Sequence, residues 1–208
     1  MSALQLEGPQ ADFHSPRYLR HTARRLEHLA TLGLDLAGRS VLELGAGIGD
    51  LTTFFLDRGC TIHSTEARGG NLEILRSRYA DEPAVTVEQL DLDPPPAHDG
   101  RTWQIVFSYG LLYHLSDPEA AIDYMTACCG AMLLFESICS PGDDDAVNPS
   151  VSRTSTCPRP SRTTTSSRWT GRCRTTTHAA RPIYVASHEP VSSPMLLDAL
   201  PERYERGL

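Results

Sequence analysis

The chain has 208 residues, enough for one domain with a buried core. Its formal net charge is −7, and it contains no lysine, so arginine supplies every fixed positive charge. Up to Ser150 there are 22 acids and 10 arginines, against 4 acids and 9 arginines beyond it, and so acidic a body is a poor surface for nucleic acid.

The predicted elements follow in chain order. "SPRYLRHTARRLEHLATLG" reads as a helix, with Ser15 as its cap, Pro16 in the first turn and Gly33 at its end. Leu19, Ala23, Leu26 and Leu29 or Ala30 form its expected apolar stripe. Ser40 to Leu44 is the first strand, followed by a helix through "DLTTFFLDRG". "CTIHSTEA" is the second strand and "NLEILRSRYA" the next helix; "VTVEQLDL" and "WQIVFSYG" are the third and fourth strands. "SDPEAAIDYMTACC" opens with Ser116 and Glu119 at capping-box spacing and reads as helical, and "AMLLFES" is the fifth strand. Alternation of this kind implies an α/β, doubly wound and mostly parallel sheet with helices on both faces.

The order breaks after "SPGDDD". Val151 to Ala180 holds nine threonines, six arginines, five serines and no acid, with Val151 and Trp169 as its large apolar residues. Such a stretch buries no core of its own, so the expectation is a core domain over 1–140 and an irregular or disordered region over 141–208. A strand is expected near 183–187, in "PIYVAS", and a short helix from Leu196 to Leu200. A shift of reading frame in a GC-rich gene would also give this composition; it would leave Val151–Ala180 open to protease and the fifth strand at an exposed edge. The coding DNA around Asp145, read in three frames, tests that explanation.

The opening "MSALQLEGPQ" lacks the basic start and apolar stretch of a signal peptide, and no apolar run approaches the roughly 20 residues that span a bilayer. The six cysteines include no CxxC pair, and Cys157, Cys173 and His178 lack a fourth partner at suitable spacing. No metal and a cytoplasmic location are therefore expected.

The chemistry centres on "SVLELGAGIGD". Gly45, Gly47 and Gly49 follow the first strand, where a doubly wound sheet places its ligands and where glycine lets backbone approach them closely. The helix that follows is expected to turn free N–H groups toward the same place. A dinucleotide fingerprint, G-x-G-x-x-G, would need glycine at position 50; the residue there is Asp50, and Glu43 adds a second acid. Two acids disfavour a pyrophosphate and suit a ligand carrying an ammonium and a sulfonium.

"VLELGAGIGDLTTFF" resembles the first motif of class I S-adenosylmethionine-dependent methyltransferases, and later segments match in order over roughly Tyr18 to Ile138. The resemblance implies S-adenosyl-L-methionine as cofactor and a site made of Glu43, Gly45, Ala46, Gly47, Gly49, Glu66, Ala67, Asp91, Leu92 and Tyr109. Glu66, at the end of "HSTEA", falls where the family places an acid on the ribose hydroxyls. Asp91 and Leu92, in "QLDLD", fall where it contacts the adenine edge, with Asp93 competing for that role. Tyr18 and Tyr113 are further candidates for the pocket wall. His114, in "LLYHLS", is the candidate catalytic residue, with ordering of the loop before Ser116 as its structural alternative.

The expected function is methyl transfer to an O, N or C nucleophile of a small molecule, with no nucleic acid or membrane as partner. "FSYGLLYHLSDP" also resembles the RNA methyltransferases that modify wobble uridine, and a non-catalytic or decayed cofactor-binding protein is the third alternative. The family usually adds an antiparallel strand pair after the fifth strand, where this chain has its threonine- and arginine-rich stretch.

Overall fold

A computed structural model of the chain describes residues 7–137, 173–178 and 181–187. The first element is a short helix, α1 (Gly8–Phe13), which carries no apolar periodicity and is not evident in the sequence. Helix α2 (Pro16–Thr31) starts and stops as expected: Ser15 Oγ accepts from the Tyr18 N–H at 3.3 Å, and Gly33 takes a φ of +61° just past the end. Its buried face matches the expected stripe at Leu29 and in part at Leu26, but not at Leu19 or Ala23. Thr22, Arg25 and Leu29 are buried, whereas Leu19 is 47% exposed. Helical spacing is kept, but the face turned inward is polar along part of its length because it borders a cavity.

Strands β1 (Ser40–Leu44), β2 (Thr61–Glu66), β3 (Val85–Gln89), β4 (Trp103–Tyr109) and β5 (Cys129–Glu136) alternate with helices α3 (Thr52–Leu56), α4 (Gly69–Arg78) and α5 (Pro118–Cys128). A single turn of 3-10 helix covers Leu112–His114 between β4 and α5. Helix α5 is capped by Asp117, whose side chain accepts from the Ala120 N–H at 2.9 Å. The expected cap, Ser116, instead bonds Asp93 through both its N–H and its hydroxyl, so a long-range partner displaces the local one.

The sheet order is β3-β2-β1-β4-β5-β7-β6, with β7 (Arg181–Ser187) and β6 (Cys173–His178) at the far side. The first five strands run parallel; β7 is antiparallel to both β5 and β6. Strand order therefore reverses between β1 and β4. Val41, Ile105, Phe107 and Leu134 pack on the face covered by α2, α3 and α4, while Leu42, Val106 and Leu133 pack under α5. Burial on both faces is why these strands read as near-continuous apolar runs.

Two expectations for the later chain change. The edge of β5 is covered: Met132 to Glu136 pair with Ser187 to Ile183, and the Phe135 and Tyr184 rings stack at 4.6 Å. The antiparallel pair after the fifth strand is present, with β6 drawn from "CRTTTH" inside the stretch expected to lack regular structure. Cys173 and His178 stand at opposite ends of β6. The rest of 151–180, the boundary at 140/141 and the helix expected at 196–200 lie outside the described residues.

Candidate functional site

A cavity of about 810 Å³ opens at the carboxyl ends of β1 and β4, where strand order reverses. This is the ordinary place for a ligand in an open α/β sheet. Gly45, Ala46 and Gly47 from the turn after β1 line it, as do Glu66 and Ala67 at the end of β2, Asp91 and Leu92 after β3, Tyr109 at the end of β4 and His114 beyond it. Asp91 sits two residues beyond the end of β3, not on the strand, and its Oδ1 accepts from the Asp93 N–H at 2.9 Å.

The turn is built for close approach. Gly45 and Gly47 have φ of +72° and +62°, and a Cβ on Gly47 would lie 2.7 Å from the Phe13 ring of α1. Glu66 braces the turn from the neighbouring strand. Its Oε2 accepts from the Gly47 N–H at 2.8 Å and its Oε1 from the Arg68 N–H at 2.9 Å, which leaves a further lone pair on each oxygen.

Glu43 and Gly49 are outside the cavity lining. Glu43 is buried below the turn, where it accepts hydroxyl hydrogen bonds from Thr52 at 2.6 Å and Ser64 at 2.7 Å. Burial pushes its carboxyl above the usual carboxylate range, opposed by those two hydrogen bonds. At Gly49 a Cβ would meet Tyr79 at 2.5 Å and Leu75 at 2.7 Å, so glycine there lets α4 pack against the turn. Helix α3 begins only at Thr52 and has five residues, so the N–H groups near the cavity belong to the turn itself. Asp50 does line the cavity; its Oδ1 meets Arg78 Nη1 at 2.6 Å and His14 Nε2 at 3.5 Å.

The roof comes from α1, which the sequence does not mark, and from α2. Pro9, Asp12, Phe13, Tyr18, Thr22 and Arg25 line the cavity opposite the turn. Arg25 reaches across to Glu136 at the end of β5, forming a buried ion pair. Burial opposes the guanidinium charge, but Glu136 outweighs it and raises the Arg25 pKa. Tyr113 and His114 stand on the 3-10 helix with rings 4.3 Å apart.

A sequence profile described as "Methyltransferase domain" matches residues 42–131. The stretch from β1 into β5 is similar to a methyltransferase domain. The span matched includes the glycine turn, Glu66, Asp91, Tyr109 and His114. A curated relative, ribosomal RNA small subunit methyltransferase A of Anaeromyxobacter dehalogenans (strain 2CP-C), is 33% identical over 104 residues, 45% of this chain. The match takes in 36% of that protein, so the chain spans about a third of the length of the relative. Among solved structures, magnesium protoporphyrin IX methyltransferase of Synechocystis PCC 6803 with bound SAH superposes with a TM-score of 0.62 over 90% of both chains, at 15% identity. The same protein with bound SAM gives 0.60 over 90% of this chain and 87% of that one, also at 15% identity, so this chain shares its fold.

Among the described residues, no helix is long and apolar enough to cross a membrane.

Proposed function

We propose that the methyltransferase domain binds S-adenosylmethionine in the cavity and passes its methyl group to an O, N or C nucleophile of a small molecule. The observation that carries this reading is the junction of Glu66 with the Gly47 N–H at the switch between β1 and β4. A carboxylate fixed beside a glycine turn suits a ribose diol, while the Glu66 charge against the turn is unfavourable to a pyrophosphate. The residues present fit the cofactor: the backbone comes close at two positive-φ glycines, and the acids of the lining suit a sulfonium and an ammonium.

When bound, S-adenosylmethionine supplies a methyl group on a positively charged sulfur. Glu66 would accept from the ribose hydroxyls, Asp91 and Leu92 would border the adenine, and Gly45, Ala46, Ala67 and Tyr109 would shape the remaining wall. The cavity has room for a small acceptor beside the cofactor, under the roof from α1 and α2. Holding nucleophile and methyl in line contributes several kcal/mol through orientation alone. His114 borders the acceptor side, where it would align the nucleophile or take its proton. Three described cysteines, Cys60, Cys128 and Cys129, are free thiols, which supports a reducing, cytoplasmic setting.

Calorimetric titration with S-adenosylhomocysteine and with NAD tests the cofactor. S-adenosylhomocysteine should bind the more tightly, and tighter binding of NAD would overturn the reading. A second reading, methyl transfer to RNA, draws on the ribosomal RNA methyltransferase that resembles the core. The acidic lining and the net charge of −7 weigh against it. Gel-shift titration with tRNA and ribosomal RNA separates the two, and turnover on an acceptor panel separates both from a non-catalytic binding protein.

A further inference from the structure

Helix α1 meets two glycines of the cavity lining. Pro9 Cγ lies 3.6 Å from where a Cβ on Gly70 would stand, in the first turn of α4. The Phe13 ring lies 2.7 Å from where a Cβ on Gly47 would stand, in the turn after β1. All four residues line the cavity, so α1 bridges two parts of its wall. The two seats differ. A Cβ at Gly70 would make ordinary contact with Pro9, whereas one at Gly47 would drive the ring away. Gly47 also gives its N–H to Glu66, so the ring, the turn and the proposed ribose acceptor meet at one residue.

Little else holds α1 in place. None of its residues is buried, its N-cap residue Glu7 makes no side-chain hydrogen bond, and it packs against α2 and α4. Beyond the two seats, Phe13 meets Tyr18 edge to face at 4.8 Å, and His14 Nε2 stands 3.5 Å from Asp50 Oδ1. A helix of six residues completes too few backbone hydrogen bonds to be stable by itself. Few buried contacts and a short hydrogen-bond ladder mark a segment that opens locally at small cost. A ligand that touches Phe13 adds to that small total and shifts α1 toward the seated state.

Resting on the methyl-transfer reading above, we propose that α1 is a strap over the cofactor and that Phe13 is the residue that holds it. The strap lifts off Gly47 and Gly70 to let S-adenosylmethionine pass, then seats with the Phe13 ring against the bound molecule.

The test uses the full chain and S-adenosylhomocysteine. In the free protein, peptides covering Gly8–His14 should exchange amide hydrogen for deuterium faster than those of α5, and saturating ligand should slow them at least about fivefold. Exchange of α1 as slow as that of α5 in the free protein, or unaltered by the ligand, overturns the inference and leaves the methyl-transfer reading intact. Phe13→Ala should speed dissociation of S-adenosylhomocysteine about tenfold in surface plasmon resonance, with association changed less than about threefold. Phe13→Leu, which keeps an apolar contact on the turn, should recover part of that loss. Unchanged dissociation in Phe13→Ala, or an effect confined to association, also overturns the inference. Phe13 is not buried, so the variant should unfold close to the wild-type temperature, and the exchange comparison on the wild type decides the matter without it. Failure of S-adenosylhomocysteine to bind the wild type removes the methyl-transfer reading first, and this inference with it.

Discussion

Glu43 and Glu66 are buried carboxylates on neighbouring strands with opposite relations to the cavity. Glu66 lines the cavity and Glu43 does not, so Glu66→Ala should lose both the proposed ribose contacts and the brace on Gly47. A charged acceptor removed from such a place costs about 1.5–3 kcal/mol, roughly ten- to a hundredfold in S-adenosylhomocysteine affinity. Unchanged affinity by calorimetry would remove Glu66 from the site. Glu43 points to a pH effect instead. Its pKa is raised on folding, so the folded state holds the proton more tightly, and the associated stability is present below the ordinary value of 4.5 and lost as pH rises through the folded-state pKa. Glu43→Gln keeps an acceptor for Thr52 or Ser64 without the charge. Its unfolding temperature should exceed that of the wild type at pH 7, with the gap closing toward pH 4; a constant gap would contradict the assignment. His114→Ala should reduce turnover on any accepted substrate more than S-adenosylhomocysteine affinity, and an equal loss of both would assign it to the loop alone. The sequence placed all three residues near the site, but Glu43 lies outside the cavity lining, unlike the other two, and nothing local in "VLELG" reports it.

Elements were legible where local chemistry decides them. Ser15, Pro16 and Gly33 fix the ends of α2, and unbroken apolar runs mark β1, β4 and β5. Long-range partners decide the rest. Ser116 has the spacing of a cap, yet its hydroxyl serves Asp93, 23 residues earlier. The inward face of α2 is misread by hydrophobicity because it carries Arg25, whose partner Glu136 is 111 residues away. β6 escaped notice because its threonines promise no core, although β-branched residues suit a strand at the edge of a sheet. The ion pair between α2 and β5 gives the prediction at this scale. Arg25→Met should destabilise the fold by about 3–5 kcal/mol by leaving Glu136 buried without its partner. The double variant Arg25→Met with Glu136→Leu should recover most of that loss in urea unfolding. A double variant as unstable as the sum of the single ones would mean that the pair is not coupled.

Across the whole molecule, the parallel sheet and its antiparallel outer strands depend on each other through one seam, β5 against β7. Met132, Leu133 and Leu134 on β5 are buried there. A chain ended after Ser137 should therefore expose an apolar strand edge and partition to the insoluble fraction, whereas the full chain stays in solution. Equal solubility of the two would show that the seam is dispensable. The seam also carries a clock. Glu136 closes β5 and Arg181 opens β7, so 44 residues lie between the edge and the strand that covers it. At about 5–20 residues per second, a ribosome takes roughly 2–9 s to make that interval. During those seconds the nascent chain carries an uncovered edge, and slow codons between Ser137 and Ala180 would lengthen its exposure to other nascent chains and to chaperones.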